Sequence, residues 1–278
     1  MQVPILTYHA GNVASNAYLG NDHVALRTDL ETFYRVGWKV VPLQWVIENR
    51  LGLANHDLAN CLALTCDDGT DLDFRDIEFP GFGMQRGFFG CLNDARSQAP
   101  HYYHDLHLTA FVIADPSARA RMDRECLHNQ GWMNETWWAD AQSSGLMNIE
   151  CHSWDHNHHV LMEAGPDGMT RGDFFQVDNA VKAEYEIDQA LAYINQRIGP
   201  DTCRFFCYPY GHANDFLRDV YFPENAARLG LKAAFGVQGV PATMHSDIWH
   251  MPRYVCGWHW KSTEELLGVL DSCAAGNS

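Results

Sequence analysis

The chain has 278 residues, of which 46% are hydrophobic and 19% charged, so it can form a large core and is not expected to be disordered. Its formal net charge of −16 argues against nucleic acid or an anionic membrane surface as the main partner, because both bind clustered Lys and Arg. The sequence also lacks an apolar run of about 18 residues, the length expected of a membrane-spanning helix.

Nine cysteines are scattered along the chain, and none of them forms a Cys-x-x-Cys pair. An odd number without paired spacing is not typical of a disulfide framework and indicates a reducing compartment. The first ten residues, MQVPILTYHA, have neither a basic segment nor a long apolar segment, so they do not predict a signal peptide. We therefore expect a cytoplasmic protein, and the sequence does not predict its oligomeric state.

Apolar runs of strand length alternate along the chain with segments of helical periodicity. The apolar runs lie at 3–8, 39–43, 61–66, 108–114, 146–152, 203–210, 232–237 and 249–256. The helical segments lie at 28–37, 178–199 and 223–230, and the second has Asp178 as its candidate N-cap and Gly199-Pro200 as its end. This alternation predicts an α/β fold of about seven βα units in one domain over residues 1–278, which favours a barrel over an open sheet.

Two long connections interrupt the alternation, at 70–107 and at 116–140. The first is rich in Gly, Asp and aromatic residues, and the second contains three tryptophans in the stretch GWMNETWWAD. Long connections after strands often carry function. Two interpretations therefore stay open: these segments line a substrate cleft, or they pack as elaborated surface loops.

The stretch TCDDG places Asp67 and Asp68 side by side directly after the apolar run at 61–66. Two carboxylates repel each other when they are close together in a folded interior. The pair therefore predicts either an exposed turn or a positive charge lying against it.

A histidine cluster, ECHSWDHNHH, follows the apolar run at 146–152. His152 and His156 are four residues apart and can bind one metal ion, whereas His158 and His159 are interpreted as exposed loop histidines. In a parallel barrel the carboxyl ends of the strands share one face, so this cluster and the TCDDG carboxylates would converge there. One carboxylate and two imidazoles would make an open three-ligand metal site.

Together these motifs make the chain resemble the polysaccharide deacetylases of carbohydrate esterase family four. The resemblance rests on PILTYHA, LALTCDDG, ECHSWDH, FFCYPYG and HMPRYVC, which occur in the family's order over nearly the whole chain. It implies a distorted (β/α)7 barrel with long loop insertions. It also implies a metal-dependent hydrolase that removes the N-acetyl group from an N-acetylated amino sugar or glycan.

The resemblance also implies a role for each matching residue. The metal triad would be Asp68, His152 and His156, usually holding zinc and sometimes cobalt or nickel. Asp67 matches the general base that activates the attacking water. The backbone N–H of Tyr210 would stabilise the oxyanion, and Pro209 and Tyr210 would contact the substrate. Ser153 is expected to support the turn between the histidine ligands by hydrogen bonding.

The chain departs from the commonest family pattern at two positions. Cys207 stands where many members have an Arg that pairs with the catalytic Asp, and Arg253 is the expected replacement, as in the branch acting on β-1,6-linked N-acetylglucosamine polymers. A purely structural ion pair is the alternative for Arg253. His9, in TYH, matches the general acid of that branch, with His250 and His259 as alternatives.

Two other functions remain open at this point. The same barrel hosts hydrolases of other non-peptide C–N bonds, such as those of cyclic imides or ureides. A non-catalytic glycan-binding relative could instead use the tryptophans of 116–140 to stack on sugar rings. Retention of the base and the complete triad favours the deacetylase.

Overall fold

A computed structural model describes residues 1–275, and its strands and helices follow the order of the apolar and helical segments. The strands are β1 (Gln2–Val3), β2 (Ile5–Tyr8), β3 (Lys39–Val40), β4 (Cys61–Cys66), β5 (Ile77–Phe79), β6 (Gly83–Gln85), β7 (Leu108–Val112), β8 (Met147–Cys151), β9 (Phe205–Cys207), β10 (Ala233–Phe235), β11 (Ala242–Thr243) and β12 (Tyr254–Val255). The α-helices are α1 (Asp22–Val36), α2 (Leu43–Leu51), α3 (Phe88–Gln98), α4 (Pro116–Cys126), α5 (Trp138–Ser143), α6 (Ala180–Ala183), α7 (Gln189–Ile198), α8 (Phe222–Leu229) and α9 (Thr263–Ala275). Two π-helical turns, Glu184–Asp188 and Phe216–Tyr221, lead into α7 and α8.

Seven parallel strands form a curled central sheet in the spatial order β10-β9-β8-β7-β4-β2-β12, and β3 pairs with β4 beside this path. The segment before β12 also pairs with β10, because Met251 donates its N–H to Ala234 O at 2.8 Å and accepts from Gly236 N at 2.9 Å. The two ends of the sheet therefore meet. This arrangement confirms the predicted (β/α)7 fold.

The central strands are buried along their whole length. All six residues of β4 are buried, which explains why the sequence there reads as a continuous apolar run rather than an alternating one. Helices cover the outside of the sheet, as expected of strands that each lead into a helix. The carboxyl ends of the strands therefore share one edge, and that edge carries the polar motifs of the sequence.

The helical segment at 178–199 begins one residue later than its candidate cap. The N-cap is Asn179, whose side chain accepts from Lys182 N at 3.1 Å, so the assignment of Asp178 was wrong. Asp178 instead pairs with the ammonium group of Lys182 at 2.8 Å. The helical path ends at Gly199, as predicted.

The two long connections contain secondary structure of their own. The first holds the β5–β6 hairpin and α3, and the second holds α4 and α5. Trp137 and Trp138 are fully buried in the main core, and Trp132 packs against it half-buried. Trp137 and Trp138 therefore act in packing and cannot stack on a sugar.

All nine cysteines are free, in agreement with their unpaired spacing. Among residues 1–275, the structure has no helix that is both long enough and apolar enough to cross a membrane.

A buried carboxyl on α1 connects the first and last parts of the barrel. Asp29 accepts hydrogen bonds from the hydroxyls of Tyr8 at 2.8 Å and Tyr18 at 2.7 Å, and from the indole N–H of Trp260 at 3.4 Å. Burial raises the pKa of Asp29 to about 7, although these hydrogen bonds lower it. The native state therefore holds a proton on Asp29 at pH values where an exposed Asp has lost it.

This titration predicts a pH dependence of stability. Because the pKa of Asp29 rises from 3.8 to about 7 on folding, its contribution to the unfolding free energy is complete below about pH 4 and is lost as pH rises to 7. The variant Asp29→Asn should remove up to about 1.4 kcal/mol per pH unit of that slope. Denaturant titrations at four pH values from 4.5 to 7.5 measure it. The exposed Asp271→Asn is the control, and an unchanged slope in Asp29→Asn would contradict the assignment.

Candidate active site

Polar side chains that follow the central strands surround a cavity of about 370 Å3 at the carboxyl edge of the sheet. Its polar wall consists of His9, Asp67, Asp68, His152, His156 and His158. Because three of these residues are the candidate metal ligands, we call it the metal cavity. The two sequence motifs TCDDG and HSWDH, which are separated by some eighty residues of chain, thus meet in one place. Their meeting follows from the parallel order of β4, β7 and β8.

The turn after β4 separates the adjacent carboxylates. Asp68 and Gly69 both have left-handed backbones, with φ of 79° and 74°. A Cβ at Gly69 would lie only 2.7 Å from the Val112 side chain and 2.9 Å from its backbone, so this position requires glycine. Asp67 is 4% exposed, whereas the Asp68 side chain is 38% exposed at the cavity. The two carboxylates therefore face different partners.

Asp67 forms a two-bond ion pair with Arg253. Both Nη atoms of Arg253 lie 2.8 Å from the two carboxylate oxygens, and Nε donates to Gly236 O at 3.0 Å. Both side chains are buried. Burial alone would raise the pKa of Asp67, but the charge and hydrogen bonds of Arg253 hold it well below its usual range. Asp67 is therefore ionised.

Cys207 fills the position next to this ion pair. Its Sγ lies 2.8 Å from Nη2 of Arg253 and 3.5 Å from Oδ2 of Asp67. Burial raises the pKa of the Cys207 thiol well above its usual value, so the thiol is neutral. A small neutral side chain here leaves space for the Arg253 guanidinium.

Within residues 1–275, two groups of side chains have metal-ligand character, and one of the two suits a metal ion. Asp67, His152 and Cys207 have donor atoms within 4.8 Å of one another. The Arg253 guanidinium already contacts the carboxylate and the sulfur, so a second cation would meet strong repulsion there. This first group therefore does not fit a metal.

The second group fits well and consists of Asp68, His152 and His156. The Nε2 atoms of His152 and His156 lie 3.7 and 3.8 Å from Oδ1 of Asp68. These separations are too long for hydrogen bonds but are close to those between ligands that each lie about 2.0–2.2 Å from one zinc ion. Burial lowers the pKa of both imidazoles, which favours the neutral form that binds metals.

Neighbouring groups orient the two histidines. Nδ1 of His152 lies 3.0 Å from the Cys207 carbonyl, so it donates there and leaves Nε2 as the free acceptor. Ser153 Oγ accepts from His156 N at 2.9 Å, which confirms the expected supporting role of Ser153. Ser153 and His156 both have positive φ, of 69° and 63°. Such backbone strain is typical of functional sites.

A buried glutamate, which the sequence did not indicate, holds the same turn from outside. Glu186 lies on the first π-helical turn, and its carbonyl accepts from Trp154 N at 2.8 Å. Its carboxyl group accepts from Asp155 N at 3.3 Å. The π turn thus brings Glu186 into contact with the loop between His152 and His156. Only the folded chain brings these segments together.

His9 lies at the mouth of the metal cavity. Its Nε2 atom is 4.0 Å from Oδ2 of Asp67, and its backbone N–H donates to Asp22 at 2.8 Å. The two alternative acids lie elsewhere: neither is among the described residues that line the cavity. The ring of His250 packs on Tyr208, and Nδ1 of His259 accepts from Val255 N at 2.8 Å.

The turn after β9 places Tyr210 at the cavity and Pro209 beneath it. Tyr210 has a positive φ of 58°, and its ring centre lies 4.5 Å from that of His156. Pro209 is buried and is not among the described residues that line the cavity, and its contact with substrate stays a prediction. Its fixed φ instead helps to form the turn that presents Tyr210.

The interpretation of His158 as an exposed loop histidine was wrong. It is half-buried at the metal cavity, with its ring centre 5.5 Å from that of His156, whereas His159 is exposed as predicted. Trp258 adds a large aromatic surface that is 63% exposed at the rim. Neither residue had a spacing signal, because both are placed by irregular turns.

Comparison with known proteins relates this chain to deacetylases by a family model and by fold. Residues 103–234 match the family model described as polysaccharide deacetylase. The Streptococcus pyogenes deacetylase PplD, solved in complex with acetate, is 18% identical over 97% of this chain and 98% of its own, with a TM-score of 0.64. The de-N-acetylase of Aggregatibacter actinomycetemcomitans is 16% identical over 97% and 100%, with a TM-score of 0.61.

The BpsB deacetylase domain of Bordetella bronchiseptica is 19% identical over 91% of this chain and 95% of its own, with a TM-score of 0.61. At such identities the likeness shows the shared fold alone. No curated protein matches the chain.

The ion pair predicts a large stability effect when only one partner is removed. Arg253→Met leaves the Asp67 charge buried and unpaired, so the unfolding free energy should fall by about 3–5 kcal/mol. The double variant Arg253→Met with Asp67→Asn removes both charges and should recover most of that loss. Denaturant titrations of the metal-free proteins measure both. If the single and double variants lose equal amounts of unfolding free energy, the unpaired charge of Asp67 is not the cause of the loss.

Proposed function

We propose that this chain, whose residues 103–234 match the polysaccharide deacetylase family model, hydrolyses the acetamide of an N-acetylated amino sugar or glycan at this cavity. The observation that carries the proposal is the division of the two carboxylates. Asp68 faces two neutral imidazoles, and Asp67 faces Arg253 and the cavity. Asp68 is therefore available to bind a metal ion, and Asp67 is available to accept a proton.

Members of the family depend on a divalent metal ion, and Asp68, His152 and His156 are the residues that would hold it. We propose zinc, because two imidazoles and one carboxylate with an open position are its usual catalytic set, and cobalt or nickel accept the same ligands. The bound ion supplies Lewis acidity that polarises the acetamide carbonyl and acidifies water.

Asp67 is proposed to accept a proton from the attacking water. Its depressed pKa keeps it ionised, but a carboxylate of low pKa is a weak base toward ordinary water. Asp67 would therefore need the acidifying effect that a cation held by Asp68, His152 and His156 would supply, and its own role is to accept the proton. The two bonds to Arg253 also fix the orientation of the carboxylate.

The remaining steps need an oxyanion donor and an acid. We propose the backbone N–H of Tyr210 as the donor, on the strained turn at the cavity wall. His9 would protonate the departing amine, which is otherwise a poor leaving group. The hydrogen bond from the His9 N–H to Asp22 fixes the start of this loop. The rim aromatic Trp258, rather than the buried Trp137 or Trp138, offers a face for a sugar ring.

The first test is Asp67→Asn in the metal-loaded protein. The variant keeps all three proposed ligands, so it should bind one zinc ion per chain while acetate release from N-acetylglucosamine oligomers falls by about 10²–10⁴-fold. Metal analysis and an acetate assay measure the two outcomes. Wild-type turnover in Asp67→Asn would contradict the base assignment. If no N-acetylated substrate releases acetate and cyclic imides are opened instead, the deacetylase proposal is contradicted.

The second test concerns the acid. His9→Ala should lower acetate release from amides by about 10²-fold or more. Acetate esters should lose much less activity, because an alkoxide or phenoxide leaves more readily than an amine anion. His250→Ala and His259→Ala are the matched controls, since neither lines the cavity. An equal loss in either control, or equal losses with esters and amides in His9→Ala, would overturn the assignment.

A further inference from the structure

A second, smaller cavity of about 220 Å3 lies beside the metal cavity. His9, Asp68 and His158 line both cavities, so the two are adjacent. The rest of its wall is mostly apolar and comes from the long connection at 116–140 and the end of β7. The apolar residues of this side cavity are Ile113, Met122, Cys126, Leu127 and Met133.

These side chains form a hydrophobic cluster separate from the barrel core. Ile113, Met122, Leu127 and Met133 belong to one small cluster and are at most 7% exposed. Gly11, Asn12 and Thr70 complete the lining of the side cavity. A mostly apolar wall beside the candidate metal ligands is suited to a nonpolar group and offers sugar hydroxyls few hydrogen-bond partners.

The loop that carries Met133 is held in place by buried charges. The carboxylate of Asp123 accepts from Gly131 N and Trp132 N, both at 2.8 Å. Arg119 donates to the Met133 carbonyl at 2.9 Å. Both charged side chains are buried. The side cavity is therefore formed by a fixed loop and does not need to be assembled by a ligand.

We propose that the side cavity takes the acyl chain of the substrate and that this enzyme hydrolyses N-acyl amino sugars with chains longer than acetyl. The inference rests on the proposed function. The acyl group is the one necessarily apolar part of an N-acyl amino sugar, and in the proposed reaction its carbonyl would lie beside Asp68, His152 and His156. An aliphatic cavity of about 150 Å3 is large enough for benzene, so about 220 Å3 accommodates a chain of roughly six carbons.

The primary test is a chain-length series on the zinc-loaded wild-type protein. Burial of one methylene corresponds to about a fourfold gain, so kcat/KM should rise at least tenfold from N-acetyl- to N-hexanoylglucosamine. It should fall again for N-decanoylglucosamine, which exceeds the cavity. A maximum at acetyl would overturn the proposal. A gain with octyl glycosides of N-acetylglucosamine, and none with longer acyl chains, would assign the cavity to an aglycone and likewise overturn it.

A variant pair links the effect to the side cavity. Leu127→Phe should lower the ratio of hexanoyl to acetyl kcat/KM at least tenfold by filling the space. Leu53→Phe makes the same change at an exposed site and should leave the ratio unchanged. An unchanged ratio in Leu127→Phe, with both variants folded by circular dichroism, would contradict the proposal.

Binding separates failure of this inference from failure of the proposed function. Hexanoate should bind the zinc-loaded wild-type protein at least tenfold more tightly than acetate by calorimetry. If hexanoate binds more tightly but no amide is cleaved, the cavity assignment stands and the proposed function fails. If amides are cleaved and the two acids bind equally, the proposed function stands and the cavity assignment fails.

Discussion

The arrangement of this site depends on the electrostatic repulsion between two neighbouring carboxylates at the end of a buried strand. Two carboxylates placed side by side repel each other, and positive partners or separation relieve that repulsion. The left-handed backbone at Asp68 directs the two side chains to different surroundings. Arg253 neutralises one of them, and the neutral imidazoles leave room for a cation at the other. The charge repulsion is thus the physical reason to propose a metal ion at Asp68 and not at Asp67.

The positive charge that pairs with Asp67 comes from Arg253, on the segment before β12. Many relatives are expected to place an Arg where this chain has Cys207, the last residue of β9. Here the guanidinium enters from the segment before β12, and the small thiol leaves the space that it occupies. Because the same Cys207 also accepts from His152 through its carbonyl, the ion pair and the metal ligands share one backbone segment. A change at this position would therefore affect both.

The connection at 116–140 combines the two roles that its sequence left open. Its paired tryptophans, Trp137 and Trp138, are buried in the core, where they anchor the segment to the barrel. The same segment then presents Met122, Leu127 and Met133 beside the metal cavity. Aromatic residues in a long loop predicted a sugar-stacking surface, but the largest side chains serve packing and the smaller apolar ones shape the cavity. Burial, which decides between these roles, is not visible in composition.

The sequence by itself determined the alternation of strands and helices and the polar motifs at strand ends, because both are local patterns along the chain. It also predicted which residues would converge, since parallel strands bring their carboxyl ends to one edge. Only the tertiary structure decided that the Phe235–Met251 pairing joins the ends of the sheet, that Asn179 caps the helix and that Pro209 lies under its turn. It also placed His158 and Glu186 at the site. These features depend on irregular turns and on contacts between distant segments, which leave no periodic signal in the chain.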